Sequence, residues 1–325
     1  MVARRLLSAV ASKSSAPPSI SFSGAGFLGS YHLGVISYLS SAGLLLPSTD
    51  KSQSQVLCGS SAGSLVSAAH CAGASPETCM EVVVSRVASA ARNQGPLTAL
   101  TPGFSLVDAL SPFLLKVMHD AAGTSDPAPL DDFVRERMNG GVLQVFLTDP
   151  ARFRFPGDFS SHSYVDEFEG MDHVVSSCIL SSYVPVATGP LRPAQGTVVH
   201  DATEFMKTRK TKRMSRKGEV EVEPQPRWWD GGLAAMFPRI NRKTLVISPV
   251  SIRHPKNLVI CPPWTGNPKG LKIGEGGMMA DISFANAVAA KNMVLPVEDD
   301  VYERIYRDAY DDAKRVCMEA GLVPS

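Results

Sequence analysis

The chain is short of cysteine pairs, of long apolar runs, of net charge and, at its start, of acids. Its six cysteines, Cys58, Cys71, Cys79, Cys178, Cys261 and Cys317, include no CxxC pair. They are scattered through apolar or helix-like stretches, which argues against a zinc site or a disulfide framework and for reduced, buried thiols in a cytosolic-type compartment. No apolar run nears the roughly 20 residues of a membrane-spanning helix, and the best stretch, from Gly34 to Leu46, is broken by serines and glycine. The formal net charge of +1 gives no general attraction to a polyanion, so no nucleic-acid partner is expected and any anionic surface must be met by a local patch. No Asp or Glu precedes Asp50, whereas Arg4, Arg5 and Lys13 stand among many Ser and Ala. Residues 1–18 therefore read either as an organelle-targeting segment or as a flexible tail ahead of the first strand.

What is present is a 44% apolar composition over 325 residues, enough for a sizeable core. Residues 19–23 (SISFS) read as a short buried strand, 27–46 as an interior helix, 55–58 as a second strand, and 61–72 as a helix of small residues stopped by Gly73. Strand, tight turn and helix, twice over, imply parallel strands with helical crossovers. Further helices are expected at 76–92, 106–122, 130–138 and 171–182, with strands at 142–148, 245–248 and 258–261. Two helices, 284–293 and 298–320, close the chain. The organisation read from this is a flexible or targeting segment over 1–18, a catalytic domain over 19–250 and a C-terminal helical extension over 251–325. One stretch differs in composition: Lys207 to Lys217 (KTRKTKRMSRK) has seven basic residues and no acid. It reads as an exposed loop, either merely solvated or drawn to an anionic lipid surface at about 1 kcal/mol per basic residue.

The chemistry concentrates at three places. Gly59, Ser60, Ser61, Ala62 and Gly63 spell G-x-S-x-G, and only Ser61 has glycines two positions away on both sides. A nucleophile on a sharp strand-to-helix turn sits in a strained backbone conformation, and small flanking residues let neighbouring chains approach. A purely structural turn is the plain alternative. Gly24, Ala25, Gly26 and Gly29 give G-x-G-x-x-G, also between a strand and a helix. One reading is a dinucleotide fingerprint. It wants an acid about 20 residues on, and Asp50, 21 residues past Gly29, lies in a polar loop ahead of the second strand rather than at its end. The favoured reading is an oxyanion hole, in which the amides of Gly24, Ala25 and Gly26 face a carbonyl oxygen as it becomes an alkoxide. The third place is Asp230 in RWWDGGL. Two tryptophans supply an apolar wall that raises a carboxylate's pKa above the aqueous value of about 3.9, and Gly231 and Gly232 allow a close turn. Of the seven histidines, His32, His70, His119, His162, His173, His200 and His254, only His200 and His254 come late enough for a Ser-Asp-His order, and neither has a catalytic-looking context.

The ordered set SGAGFLG, GSSAG and DGG resembles the patatin-like phospholipase family, and within it the branch of adipose triglyceride lipase and adiponutrin. FSGAGFLGSYHLGV is similar to that branch's glycine-rich opening, SSCILSSYVPVATGPL to its segment between the two catalytic residues, and RWWDGGL with TLVISPVS to its aspartate turn and following strand. SFANAVAAKNMVLP and YRDAYDDAKRVCMEAGL resemble its C-terminal helices. The resemblance implies a three-layer α/β/α sandwich with a mostly parallel central sheet, followed by C-terminal helices. It implies a lipid acyl hydrolase of triacylglycerol lipase or phospholipase A type, using a Ser61–Asp230 dyad, an acyl-enzyme intermediate, Gly24, Ala25 and Gly26 as oxyanion donors, and Gly29, Gly59, Gly63, Gly231 and Gly232 as motif glycines. No metal or other cofactor is expected. The expected partner is a lipid substrate at a membrane or lipid-droplet surface, reached through Lys207 to Lys217, and the expected location is cytoplasmic and peripheral. The basic stretch departs from the family pattern, and the long C-terminal region that carries droplet targeting in the lipase has no counterpart in these residues. The rival readings are an acyltransferase or transacylase on the same site, an inactive lipid-binding scaffold, and a dinucleotide-binding protein.

Overall fold

The computed structural model describes residues 18–46, 55–93, 105–155, 159–215, 218–266, 269–273 and 277–324. Residues 1–17, which carry the targeting-or-tail reading, lie outside the described residues, as do Asp50 and the last two members of the basic stretch, Arg216 and Lys217.

The strands in chain order are β1 (Ser19–Phe22), β2 (Val56–Gly59), β3 (Leu143–Thr148), β4 (His162–Val165), β5 (Thr211–Ser215), β6 (Gly218–Val222), β7 (Trp229–Asp230), β8 (Leu245–Ile247), β9 (Ile252–Arg253), β10 (Val259–Ile260), β11 (Leu271–Lys272) and β12 (Met279–Ala280). Nine of them form one sheet in the order β10-β8-β1-β2-β3-β4-β5-β6, with β7 also on β3. From β10 to β3 all neighbours are parallel, because helices intervene between β1, β2 and β3 and return each strand in the same direction. From β3 to β6 the pairing is antiparallel. The fold is thus the expected one, a mixed sheet with a parallel centre flanked by helices.

Strand alternation divides the core. Ile20, Phe22, Leu57, Leu143, Val145 and Leu147 face the large helical layer and join its main cluster. Cys58, Phe146 and Tyr164 face the other way and pack under Ala235 of the short helix Gly231–Ala235. Beside them Val246 meets Ile252 of the small sheet β11-β12-β9 and Met278 just ahead of β12. Among the described residues, the second face thus meets this short helix and the small sheet.

The expected helix over 27–46 is divided and shorter: a 3-10 turn, Gly26–Leu28, then the helix Gly29–Ser41. It stops because Gly43 turns left-handed at φ +67, a conformation glycine adopts without steric cost. This helix is nearly all buried and packs along the last helix, Asp299–Glu319. At their crossing a Cβ on Gly34 would lie 2.1 Å from the Tyr306 carbonyl, and Tyr31 donates to Asp312 at 3.0 Å. Beyond residue 250, then, the chain returns β10 to the main sheet and lays its last helix on the first.

The described part of the basic stretch, residues 207–215, is mostly strand rather than loop. After the helix Val198–Met206 it forms β5, which hairpins with β6. The acids missing from it in sequence come from elsewhere in space. Lys207 pairs with Glu204, Arg209 with Glu169 at 2.9 Å, Lys210 with Glu221 at 3.0 Å and Lys212 with Asp166 at 3.0 Å. Arg209 also stacks over Phe205 at 3.7 Å. Among the described residues no helix is long and apolar enough to cross a membrane.

Candidate active site

β2 runs directly into the helix Ala62–Ala72, and Ser61 is the hinge between them. Its backbone sits at φ 53, ψ −131, and among the described residues only Val186 is another non-glycine with positive φ. Such a conformation costs about 1–3 kcal/mol and persists only where the surroundings over-determine it. The flanking glycines are part of those surroundings. A Cβ on Gly59 would lie 2.3 Å from the Gly63 carbonyl, and one on Gly63 would lie 2.2 Å from the Phe22 carbonyl and 2.6 Å from that of Ser23. The two glycines thus let the turn press onto itself and onto the end of β1. The neighbouring Ser60 hydroxyl reaches the Met236 carbonyl at 3.4 Å and lies 3.8 and 3.9 Å from Cβ positions built on Gly24 and Gly232. The Ser61 amide donates to Ser181 Oγ at 3.0 Å, and the Ser61 carbonyl accepts from Ser64 Oγ at 2.7 Å.

Asp230 is held by its main chain on both sides. Its amide donates to the Tyr183 carbonyl at 2.8 Å, and its carbonyl accepts from Thr148 Oγ1 at 2.7 Å. Its side chain caps the helix Gly231–Ala235, with Oδ1 accepting the Gly232 amide at 2.6 Å. Gly231 must be glycine, because a Cβ there would lie 2.1 Å from the Phe146 carbonyl. Asp230 is 5% exposed as a residue, and burial pushes its pKa up to about 7, against the opposing pull of the Ser61 hydroxyl and the Gly232 amide. The Ser61 hydroxyl is thus near enough to act on the carboxylate and draw its pKa down.

The glycine-rich loop completes the convergence. A Cβ on Gly24 would lie 3.8 Å from both Ser61 Cβ and Gly232 Cα, so segments near residues 24, 61 and 232 meet within one van der Waals shell. The three expected donors differ in kind. The Gly24 amide already donates to the Met236 carbonyl at 3.0 Å, whereas those of Ala25 and Gly26 find no protein acceptor among the described residues. Gly26, at φ +53, is pressed against the helix Phe284–Val294, and a Cβ there would lie 1.9 Å from the Met293 carbonyl. That carbonyl fills the space that a dinucleotide's pyrophosphate needs at the second glycine, which removes the basis of the dinucleotide reading. Gly29 faces Ala62, 3.7 Å from Ala62 Cβ to a Cβ built on the glycine.

The histidines serve the framework. His32 is fully buried with Nε2 on the Ser23 carbonyl at 2.9 Å, and burial lowers its pKa to about 4. His254 accepts the amides of Lys256 and Asn257 in a turn, and His200 pairs with Asp201. The thiols of Cys58, Cys71, Cys79 and Cys178 are buried and pushed up to about 12, so they are poor nucleophiles. No cluster of His, Cys, Asp and Glu suited to a metal ion occurs among the described residues. Motif reading missed Thr148, Ser181, Tyr183, Met236 and Met293, most of which act through main-chain carbonyls that leave no residue-type signal. Ser181 and Tyr183 do fall within the quoted SSCILSSYVPVATGPL stretch, and a hydroxyl at the end of an apolar helix was the available clue.

The family model described as Patatin-like phospholipase matches residues 20–240. Patatin-like phospholipase domain-containing protein 2 of Mus musculus is 24% identical over 309 residues, covering 94% of this chain and 51% of that protein. Patatin-like phospholipase domain-containing protein 4 of Homo sapiens is 26% identical over 302 residues, covering 92% of this chain and 96% of that protein. The chain thus spans about half the length of the mouse relative and nearly all of the human one. Both fit the branch that the motifs resemble. The crystal structure of VipD from Legionella pneumophila overlaps with a TM-score of 0.43 at 11% identity, covering 94% of this chain and 68% of that one, an overlap too loose to bear on function.

Proposed function

Because the chain belongs to the patatin-like phospholipase family, we propose that it is a lipid acyl hydrolase, a carboxylic ester hydrolase in which Ser61 is the nucleophile and Asp230 its base. The observation that carries this reading is the meeting of Ser61, the Asp230 turn and the glycine-rich loop around a carboxyl whose pKa is about 7. A carboxylate raised to that value is a far better proton acceptor near neutral pH than an aqueous aspartate.

The reaction then runs in two acyl-transfer steps. Asp230 takes the Ser61 hydroxyl proton as Oγ attacks the ester carbonyl carbon. The carbonyl oxygen becomes an alkoxide facing the amides of Ala25 and Gly26. Collapse breaks the ester C–O bond, and the leaving alkoxide takes the proton from Asp230. Water next attacks the acyl-Ser61 ester, giving its proton to Asp230. Collapse releases the fatty acid and returns Ser61 Oγ its proton. Removing one oxyanion donor costs about 3 kcal/mol of barrier stabilisation in other hydrolases, so two free amides are enough to matter.

The substrate class is an ester of a glycerolipid presented at a membrane or droplet surface. Since four of the basic residues between Lys207 and Lys217 already face carboxylates, that stretch gives little support to the idea that it is the lipid contact. An active-site-directed fluorophosphonate tests the chemistry. Wild type labels stoichiometrically and releases fatty acid from mixed glycerolipids, and Ser61→Ala does neither. Labelling of Ser61→Ala at Ser60 would show that the neighbouring serine is the nucleophile, and an unlabelled, inactive wild type would refute the hydrolase.

A further inference from the structure

Ser61 holds a backbone conformation that few side-chain-bearing residues adopt, and its amide hydrogen is a constraint on that conformation. The acceptor is not another main-chain group but Ser181 Oγ at 3.0 Å, on the last residue of the helix Met171–Ser181. Ser181 is fully buried. Its own hydroxyl proton goes to the Phe146 carbonyl at 2.7 Å, which leaves a lone pair for the Ser61 amide. Phe146 lies on β3 beside Leu147, the register partner of Asp230. The same Phe146 carbonyl is the atom against which Gly231 is pressed. Two residues after Ser181, the Tyr183 carbonyl accepts the Asp230 amide. Residues 181–183 therefore grip the main chain of both Ser61 and Asp230, and Phe146 joins the two grips.

We propose that Ser181 is a positioning residue, one that locks the Ser61 turn so that its hydroxyl faces Asp230 while the Ser61 amide stays out of the oxyanion hole. This rests on the reading of Ser61 and Asp230 given above. Ser181 touches neither the ester nor the proton in transit. Without its oxygen the Ser61 amide is buried without an acceptor, and the strained turn can relax away from the carboxylate.

The test uses the full chain with Ser181→Ala, Ser181→Thr and Ser61→Ala. The readouts are kcat and KM on p-nitrophenyl butyrate, the rate constant of fluorophosphonate labelling, the midpoint of the pH–rate profile, and hydrogen exchange of the peptide containing Ser61. Ser181→Ala lowers kcat and the labelling rate by about 10- to 100-fold. KM stays within about threefold, and the pH midpoint moves up, because a Ser61 hydroxyl turned away no longer draws down the Asp230 pKa. The Ser61 peptide exchanges faster, and Ser181→Thr, which keeps the hydroxyl, recovers most of the loss. Wild-type kcat in Ser181→Ala overturns the inference, as does a loss that Thr fails to rescue while exchange around Ser61 stays unchanged. Should the alanine variant not fold, Ser181→Cys, nearly isosteric with a weaker acceptor, reads the same quantity, and a wild-type rate there also overturns it. If wild type itself neither labels nor turns over, the hydrolase reading fails first. If wild type labels at Ser61 and the Ser181 variants match it, the positioning role alone fails.

Discussion

If Asp230 is the base proposed above, its pKa sets the pH at which turnover occurs, and its effect can be isolated by titrating wild type beside Asp230→Asn. The carboxyl moves from 3.8 to about 7, with burial outweighing the Ser61 hydroxyl and the Gly232 amide. Only the ionised form can accept the Ser61 proton, so kcat/KM rises with pH, reaches half its plateau near pH 7 and falls about tenfold per unit below it. At pH 5 only about 1% of molecules hold the carboxylate, whereas an unshifted aspartate would be over 90% ionised, roughly, and the profile flat. Stability moves the other way. The folded pKa lies above the unfolded one, so the contribution of Asp230 is complete below about pH 4 and is lost as pH rises through about 7. A shift of about 3 units at about 1.4 kcal/mol each makes that loss on the order of 4 kcal/mol. The assay is hydrolysis of a p-nitrophenyl ester from pH 5 to 9, paired with urea unfolding at the same pH values. Asp230→Asn lowers kcat by about 10²- to 10⁴-fold and abolishes its share of the pH dependence of stability. A rate midpoint near pH 4, or an Asn variant with wild-type turnover, would refute the reasoning.

Two further outcomes follow from packing and charge. Gly63→Ala drives a Cβ to 2.2 Å from the Phe22 carbonyl. It is expected to cost about 3 kcal/mol or more in stability, whereas Gly24→Ala, with no atom nearer than 3.8 Å, keeps the wild-type melting temperature within about 2 °C. Calorimetry of the two variants checks the contrast, and equal melting points would contradict it. Replacing Lys210 and Lys212 together with Gln changes binding to anionic phospholipid vesicles by less than about threefold, since both already face carboxylates. Two lysines in contact with a membrane would contribute about 2 kcal/mol, or about 30-fold, so a loss of that size in vesicle co-sedimentation would restore the strand as the lipid contact.

Short-range patterns in the sequence determined the local structure well. The alternation at residues 19–23 and 55–58, the glycines around Ser61 and the stop at Gly73 each act over a few residues, and β1, β2, the Ser61 turn and the helix Ala62–Ala72 appear there. The core is legible in part, because the apolar run at residues 142–148 marks a strand, and β3 is there, buried on both faces. Charge was read less well. Lys207 to Lys217 looked like a solvated loop because its acids stand outside it: Glu204 and Glu221 flank it, the latter brought across by the β5–β6 hairpin, and Asp166 and Glu169 come from about 40 residues away by β5 pairing with β4. Only the tertiary structure decided which amide of the glycine-rich loop is already bonded, that the Met293 carbonyl fills the space beside Gly26, and that Ser181 holds Ser61. Each of these depends on a main-chain atom or a hydroxyl meeting a partner more than 100 residues away. Every residue carries the same main-chain groups, so no spelling of the chain marks which of them will meet.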